Sequence, residues 1–154
     1  MVTLKRNRKG ITLVELMIVI AVIGILLSVA TPAWMRHRDN ADLKTAARGI
    51  AGDIFNMKQR AASESSPYLI TFDLAQNRYQ MIDATTGIPE QTRNVSEFGP
   101  GVILTGTTFG GDSINFFARG TTSWGTVNLR NNRNSTAQVR VNAAGRTHVT
   151  FNMQ

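Results

Sequence analysis

Glu15 is the one carboxylate in an otherwise apolar stretch over residues 13–29, where Gly24 and Ser28 are the main other interruptions. A carboxylate inside a lipid-embedded helix costs on the order of 2.5–3.5 kcal/mol near the bilayer centre and less towards its edge, and it is usually paired. The position therefore favours charge pairing with a cation. The alternative is a side chain that reaches back to the aqueous interface.

A second chemically suggestive group is the set of cations in the final 42 residues, which carry +5 and no carboxylate after Asp112. The residues are Arg119, Arg130, Arg133, Arg140 and Arg146, with His148 in addition. Such asymmetry indicates an anionic partner, whereas the plainer interpretation is a solvated basic face. Sequence alone leaves both open.

The N-terminal segment has the pattern of a membrane anchor. Residues 1–10 contain four basic residues and no acidic one. A helix over residues 13–32 would be about 30 Å long, which matches the hydrocarbon core of a bilayer. The basic leader favours a cytoplasmic N-terminus. No small-residue cleavage site follows the apolar run, which argues against an ordinary secretory signal peptide.

The rest of the chain predicts a helix followed by strands. After Pro32, apolar residues recur at steps of three and four up to Ala62, which predicts an amphipathic helical half. From Pro67 the period shortens to two. Strands are predicted at 68–74, 78–82, 102–105, 113–117, 125–130, 137–142 and 147–152, with residues 84–98 as a loop. Trp124 is interpreted as a packed aromatic side chain.

The stretch KGITLVELM at residues 9–17 resembles the class III signal of type IV prepilins and type II secretion pseudopilins. The resemblance implies cleavage by a membrane peptidase between Gly10 and Ile11 and methylation of the new Ile11 amine. It also implies that Glu15 pairs with an N-terminal amine when helices bundle into a filament. The family usually has Phe in place of Ile11. Loss of the leader removes four of the formal +7 charges and leaves +3.

The resemblance implies an α+β, pilin-like fold, in which a long N-terminal α-helix packs on an antiparallel β-sheet domain. The predicted division is a leader at 1–10, a transmembrane and filament-core helix at 11–33, an amphipathic helical half at 34–66 and a β-rich globular domain at 67–154. The protein would cross the bacterial inner membrane once, with its globular domain in the periplasm, and then enter the filament.

The β-rich half resembles the GspH/FimT group of minor pilins and pseudopilins. The shared features are a phenylalanine-rich strand ending at Gly120, a Gly-Thr-Val strand at 125–127 and a final hairpin ending in Gly145-Arg146. The resemblance implies a minor structural subunit that primes or caps a type IV pilus or a type II secretion pseudopilus. Its implied partners are the prepilin peptidase/methyltransferase and other pilins or pseudopilins.

The FimT branch also contains DNA receptors of natural transformation, which use a Gly-Arg-x-Arg segment. The matching residues here are Gly145-Arg146-Thr147-His148, so a histidine that is mostly neutral at pH 7 replaces the second arginine. Phosphate affinity depends on the number of fixed positive charges, so the replacement weakens this alternative. The candidate DNA contacts are Arg133, Arg140, Arg146 and His148.

Enzyme motifs are absent from the sequence. It has no cysteine, only His37 and His148 as histidines, and no hydrolase elbow, His-Glu-x-x-His helix or Walker loop. The glycine-rich residues 106–111 lack a lysine and a following helix, so they predict a hairpin loop. We therefore predict a non-enzymatic protein without cofactor or metal.

Overall fold

The structure is a computed structural model, and it describes Gly10 and residues 12–154 except for the side chains of residues 29–33. In this part of the chain, one long helix is followed by eight strands. Residues 1–9 of the predicted leader, and Ile11, lie outside the described residues. The chain divides into two units, Met1–Arg36 and His37–Gln154. The predicted α+β class, a long helix with antiparallel sheets, is confirmed.

Helix α1, Leu13–Ser63, begins directly after Thr12. The Thr12 hydroxyl oxygen accepts a hydrogen bond from the backbone N–H of Glu15 at 3.2 Å. Threonine before the first turn with glutamate three residues later is the sequence of a capping box, which satisfies backbone donors that the helix leaves free. Glu15 also lies in the first turn, where the helix dipole favours a negative charge.

The first unit exposes its large apolar side chains. They are Leu13, Val14, Leu16, Met17, Ile18, Val19, Ile20, Val22, Ile23, Ile25, Leu26, Leu27, Trp34 and Met35. Within the described residues, no helical segment combines the length and the apolarity required to cross a bilayer. The membrane span and its topology stay predictions.

In the second unit, α1 buries one face in a hydrophobic core that it shares with two four-stranded antiparallel sheets. The helix contributes Leu43, Ala46, Ala47, Ile50, Ile54, Met57 and Ala61. Their steps of three and four place them on one side of the helix. The helical prediction to Ala62 is thereby confirmed to within one residue.

The first sheet has the order β3-β2-β1-β5 and the second has the order β4-β6-β7-β8. The strands are β1 (Tyr68–Asp73), β2 (Arg78–Asp83), β3 (Pro89–Asn94), β4 (Ile103–Thr107), β5 (Ser113–Phe116), β6 (Gly125–Arg130), β7 (Thr136–Val141) and β8 (Thr147–Asn152). Seven of them were predicted with bounds within two residues. The alternation of buried and exposed residues on β6 and β7 explains why a period of two identified them.

The loop prediction for residues 84–98 was wrong, because this segment contains β3 and a 3₁₀ turn at Val95–Glu97. Strand β3 pairs with β2 at the edge of its sheet, and all its residues but Arg93 are exposed. A strand with two solvated faces needs no apolar alternation, so its sequence carried no period-two signal.

Asp53 joins the helix to the first sheet. The hydroxyl of the fully buried Tyr79 donates to Asp53 Oδ2 at 2.5 Å, and Arg93 Nη1 donates to the same oxygen at 3.0 Å. The Arg93 guanidinium lies over the Phe98 ring, 5.6 Å from its centroid. The ring in turn covers Gly49, where a Cβ would lie 2.4 Å from it. These contacts stabilise the packing of β2 and β3 on α1.

Replacing Tyr79 with Phe tests this connection. Burial, reinforced by the Asp53 carboxylate, raises the pKa of Tyr79 above its ordinary value of 10.0. The stabilisation is therefore complete below about pH 10 and declines as the pH rises further. We expect Tyr79→Phe to lower the free energy of unfolding by about 1.5–3 kcal/mol near neutral pH, because a hydrogen bond to a charged group is lost. Urea denaturation at several pH values measures both effects, and above pH 10 the variant should lose stability less steeply.

Tyr68→Phe is the matched control. The Tyr68 hydroxyl donates to the exposed Glu64, and this hydrogen bond raises the pKa of Tyr68 to about 12. Since its acceptor is an exposed surface carboxylate, we expect a smaller loss near neutral pH. Equal losses in the two variants would contradict a special role for the Asp53 contacts.

Candidate functional site

The residues predicted to act in processing lie at the start of α1. Gly10 is exposed and precedes the helix, and Glu15 is exposed in its first turn. Ile11 falls outside the described residues. Cleavage between Gly10 and Ile11, methylation of Ile11 and the part of Glu15 in filament assembly stay predictions.

Three of the four candidate DNA contacts lie in one hairpin formed by β7, β8 and their turn. We call residues 140–148 the basic hairpin. Arg140 on β7 lies opposite His148 on β8, and Arg146 lies in the turn. All three side chains are exposed. The structure therefore places Arg140, Arg146 and His148 close together on the second sheet.

Arg133 lies elsewhere, in the turn that precedes β7. Its Nε donates to Asp39 Oδ2 at 2.6 Å, and its backbone N–H donates to Asn131 Oδ1 at 3.0 Å. Six residues of β7 separate this turn from the basic hairpin's turn, a distance of about 20 Å. Arg133 thus holds the start of the helical core segment to the second sheet, and its charge is paired.

The turn of the basic hairpin is held by side chains from two other elements. Lys58 on α1 donates to the carbonyl oxygen of Ala144 at 2.7 Å. The Thr122 hydroxyl donates to the carbonyl oxygen of Asn142 at 2.9 Å. Within the turn, the Arg146 backbone N–H donates to Asn142 Oδ1 at 2.9 Å. These bonds fix the backbone that carries Arg146.

Gly145 is required at this turn for two reasons. Its φ of +68° lies in the left-handed region that side chains disfavour, and a Cβ would lie 2.6 Å from Lys58 Cδ. The contact also brings the Lys58 ammonium group into the basic hairpin. Lys58 was not predicted as part of the site, because its position on the helix gives no information about which turn it meets.

A cleft of about 340 Å³ adjoins the hairpin. Its lining includes Trp124, Arg140, Thr126 and Asn142. The interpretation of Trp124 as a packed aromatic is wrong, because its side chain is 77% exposed. An exposed indole beside a guanidinium offers a flat apolar surface next to a positive charge. This combination suits a planar group attached to an anion.

The positive charge of this surface is uncompensated. Among the described residues, the ion pairs involve Arg60, Arg78, Arg93 and Arg133, and none involves Lys58, Arg140 or Arg146. An unpaired cluster of cations raises the local concentration of anions. In the part of the chain that the structure describes, no group of side chains has the composition of a metal site.

Replacing Gly145 with Ala should disturb the turn. The left-handed backbone and the contact with Lys58 both oppose a Cβ, so we expect the free energy of unfolding to fall by about 1–3 kcal/mol. The control is Gly52→Ala, at an exposed helical position where nothing lies within 4 Å of a new Cβ. That change should stabilise the protein by up to about 1 kcal/mol. Urea denaturation measures both, and an unchanged stability in Gly145→Ala would contradict the steric argument.

Sequence comparisons relate parts of the chain to known proteins. Residues 5–31 match the family described as the prokaryotic N-terminal methylation motif. The chain is 49% identical over 54 residues to the fimbrial protein EcpC of Eikenella corrodens, covering 35% of this chain and 30% of that protein. It is 38% identical over 66 residues to the type IV major alpha-pilin of Moraxella bovis, covering 38% and 42%. The chain thus spans less than half the length of these relatives.

Two solved structures share the fold. One is the minor pseudopilin EpsH from the type 2 secretion system of Vibrio cholerae, with a TM-score of 0.60, 13% identity and coverage of 71% of this chain and 97% of that one. The other is the type IV minor pilin FimU of Pseudomonas aeruginosa, with a TM-score of 0.60, 15% identity and coverage of 74% and 92%. The chain thus matches the methylation motif near its N-terminus, is similar over part of its length to a type IV pilin, and shares the fold of a minor pseudopilin and a minor pilin.

Proposed function

We propose that this protein is a minor structural subunit that primes or caps the assembly of a type IV pilus or a type II secretion pseudopilus. The observation that carries the proposal is the exposed apolar surface of α1 over residues 13–27, which begins three residues after Gly10 in the sequence. An apolar surface of this extent is unfavourable in water and marks a contact with lipid or with other proteins. Neighbouring subunit helices in a filament would supply that contact.

The choice of a minor subunit is supported by the fold. Both similar structures are minor components, one of a secretion system and one of a type IV pilus. The major alpha-pilin matches over only 66 residues. We infer a non-enzymatic protein that is anchored in the inner membrane by a single span, with its β-rich domain in the periplasm, before it joins other pilins.

Glu15 has a specific part in this proposal. Cleavage between Gly10 and Ile11 by the prepilin peptidase leaves a positively charged amine near the start of α1, and the same enzyme methylates it. A carboxylate in a low-dielectric surrounding pairs strongly with such a cation. Pairing of Glu15 with the amine of a neighbouring subunit would fix the axial position of one helix against the next.

Assembly can be tested with two variants. We expect Gly10→Val to retain residues 1–10, as measured by intact-protein mass spectrometry, because the small residue at the cleavage site is lost. Glu15→Gln should be cleaved normally but should enter filaments about tenfold less, since losing 1.4 kcal/mol or more of pairing energy changes an equilibrium by that factor. Immunoblots of sheared filaments and membranes measure the distribution.

Glu97→Gln is the matched control for this experiment. Glu97 is an exposed carboxylate of the β-rich domain that binds Asn94. Its replacement should leave both processing and incorporation unchanged. A mature N-terminus other than Ile11, or normal incorporation of Glu15→Gln, would argue against the proposal.

A second candidate function is DNA binding during DNA uptake, and one observation favours it. The basic hairpin gathers Arg140, Arg146 and His148 beside Lys58 and the exposed Trp124. Arginine and lysine contact phosphates, and an exposed indole stacks on bases. Such binding would be strongly salt-dependent.

Gel shifts with the full chain in detergent micelles test this candidate. We expect the Arg140→Ala, Arg146→Ala double variant to weaken binding at least about tenfold and to reduce the slope of log affinity against log salt by about 2. Arg133→Ala is the control, because Arg133 is paired with Asp39 at the other end of β7. It should change the affinity by less than about twofold. Absence of a salt-sensitive shift with the wild type would rule out this function.

A further inference from the structure

Four strands form the edges of the two sheets: β3, β5, β4 and β8. An edge strand presents unpaired N–H and C=O groups, and natural proteins protect such edges with proline, charges, bulges or a covering segment. Three of the four edges here have such protection. The exception is β8.

The first sheet protects both of its edges. Strand β3 begins with Pro89, carries Glu90 and Arg93, and has a register shift opposite Met81 and Ile82. Strand β5 is covered by the chain that follows it. There, the Ser123 backbone N–H donates to the carbonyl oxygen of Asn115 at 3.0 Å, and the Asn115 N–H donates to Ser123 Oγ at 3.0 Å.

Strand β4 is protected by one side chain of the other sheet. Asn77 Nδ2 donates to the carbonyl oxygen of Val102 at 2.8 Å, and Asn77 Oδ1 accepts from the backbone N–H of Leu104 at 2.8 Å. The side-chain amide thus occupies the donor and acceptor that a neighbouring strand would use. A register shift between Leu104 and Gly106 further interrupts this edge.

Strand β8 lacks these features. It pairs with β7 over six residues without a register shift, and it contains no proline and no Asp, Glu, Lys or Arg. Within the described chain, no hydrogen bond from another segment reaches the backbone of β8 on the side away from β7. The edge is regular and open, and it carries none of these charged side chains.

The ladder identifies the open groups. The Asn142 N–H donates to the carbonyl oxygen of Arg146 at 3.1 Å, so the hydrogen-bonded pairs alternate from there along the hairpin. Arg140 and His148 form the next such pair. The intervening residues of β8, Thr147, Val149 and Phe151, therefore direct their N–H and C=O groups towards the open edge.

The side chains along this edge differ between its two faces. Val149, Phe151 and Met153 pack against the core but remain partly exposed, so the inner face is incompletely covered. The outer face carries His148 next to Arg140. A further strand would cover the apolar side chains of the inner face and would lie beside positive charge on the outer face.

We propose that the outer edge of β8 binds an extended segment of another polypeptide as a fifth strand. The segment places apolar residues over Val149 and Phe151 and acidic residues beside Arg140 and His148. A second copy of β8 fits less well, because the final 42 residues contain no carboxylate. This contact is separate from the apolar part of α1, so it goes beyond the proposed assembly function and does not depend on it.

The probe is a fluorescein-labelled seven-residue peptide of alternating valine and glutamate, and its binding to the full chain in detergent micelles is followed by fluorescence anisotropy. In antiparallel pairing, the residues opposite Val149 and Phe151 share their face and exchange main-chain hydrogen bonds with them. Methylation of the valine amide nitrogens should therefore weaken binding at least about tenfold. Methylation of the glutamate amide nitrogens should change it by less than about threefold, because these face solvent.

Val149→Pro and Val149→Ala form a matched pair of variants, since both remove the two branched methyl groups of valine but only proline removes the edge N–H. We expect about a tenfold loss of binding for Val149→Pro and less than about a threefold loss for Val149→Ala. Replacing the peptide glutamates by lysine should also weaken binding. The proposal is overturned if the wild type does not bind the peptide or if both methylated peptides bind equally. It is also overturned if lysine peptides bind as well as glutamate peptides, or if Val149→Pro abolishes only association of the chain with itself.

Discussion

The apolar stripe of α1 from Leu43 to Ala61 is the constraint on which the second unit depends. Each four-stranded sheet must bury one face against a second layer to be stable. The stripe supplies that layer to both, so residues of β1, β2, β6 and β7 share one core with the helix. The buried side chains of Ala46, Ala47 and Ala61 are small, so residues of the strands can approach the helix backbone closely.

Polar contacts then fix where each sheet lies along the stripe. Asp53 binds Tyr79 and Arg93 of the first sheet, while Asp39 and Lys58 bind the two turns at opposite ends of β7 in the second. A hydrophobic stripe tolerates sliding, because burial is non-directional. Directional bonds on the flanks of the stripe remove that freedom. They also determine the position of the basic hairpin, whose turn Lys58 holds.

The sequence allowed most of the fold to be predicted, and the reasons lie in periodicity. Strands such as β6, with one buried and one solvated face, alternate and were located correctly. Strand β3 has no buried row, so nothing in its composition distinguishes it from a loop. For the candidate site, Arg140, Arg146 and His148 could be grouped because they share a hairpin. Lys58 and Trp124 could not, because a contact across 86 residues and the exposure of an aromatic ring depend on the tertiary structure.

Under the proposed function, Glu15 at the start of α1 would serve the monomer and the filament in different ways. Thr12 caps the helix through the Glu15 N–H, and a carboxylate in the first turn opposes the positive end of the helix dipole. A free amine at Ile11 after cleavage would add positive charge at the same end of the helix. The Glu15 carboxylate would then give more electrostatic stabilisation within its own chain. The cap acts within one chain, whereas pairing with another amine requires a second helix. A loss of assembly without a loss of folding therefore separates the intermolecular part of Glu15 from its local one.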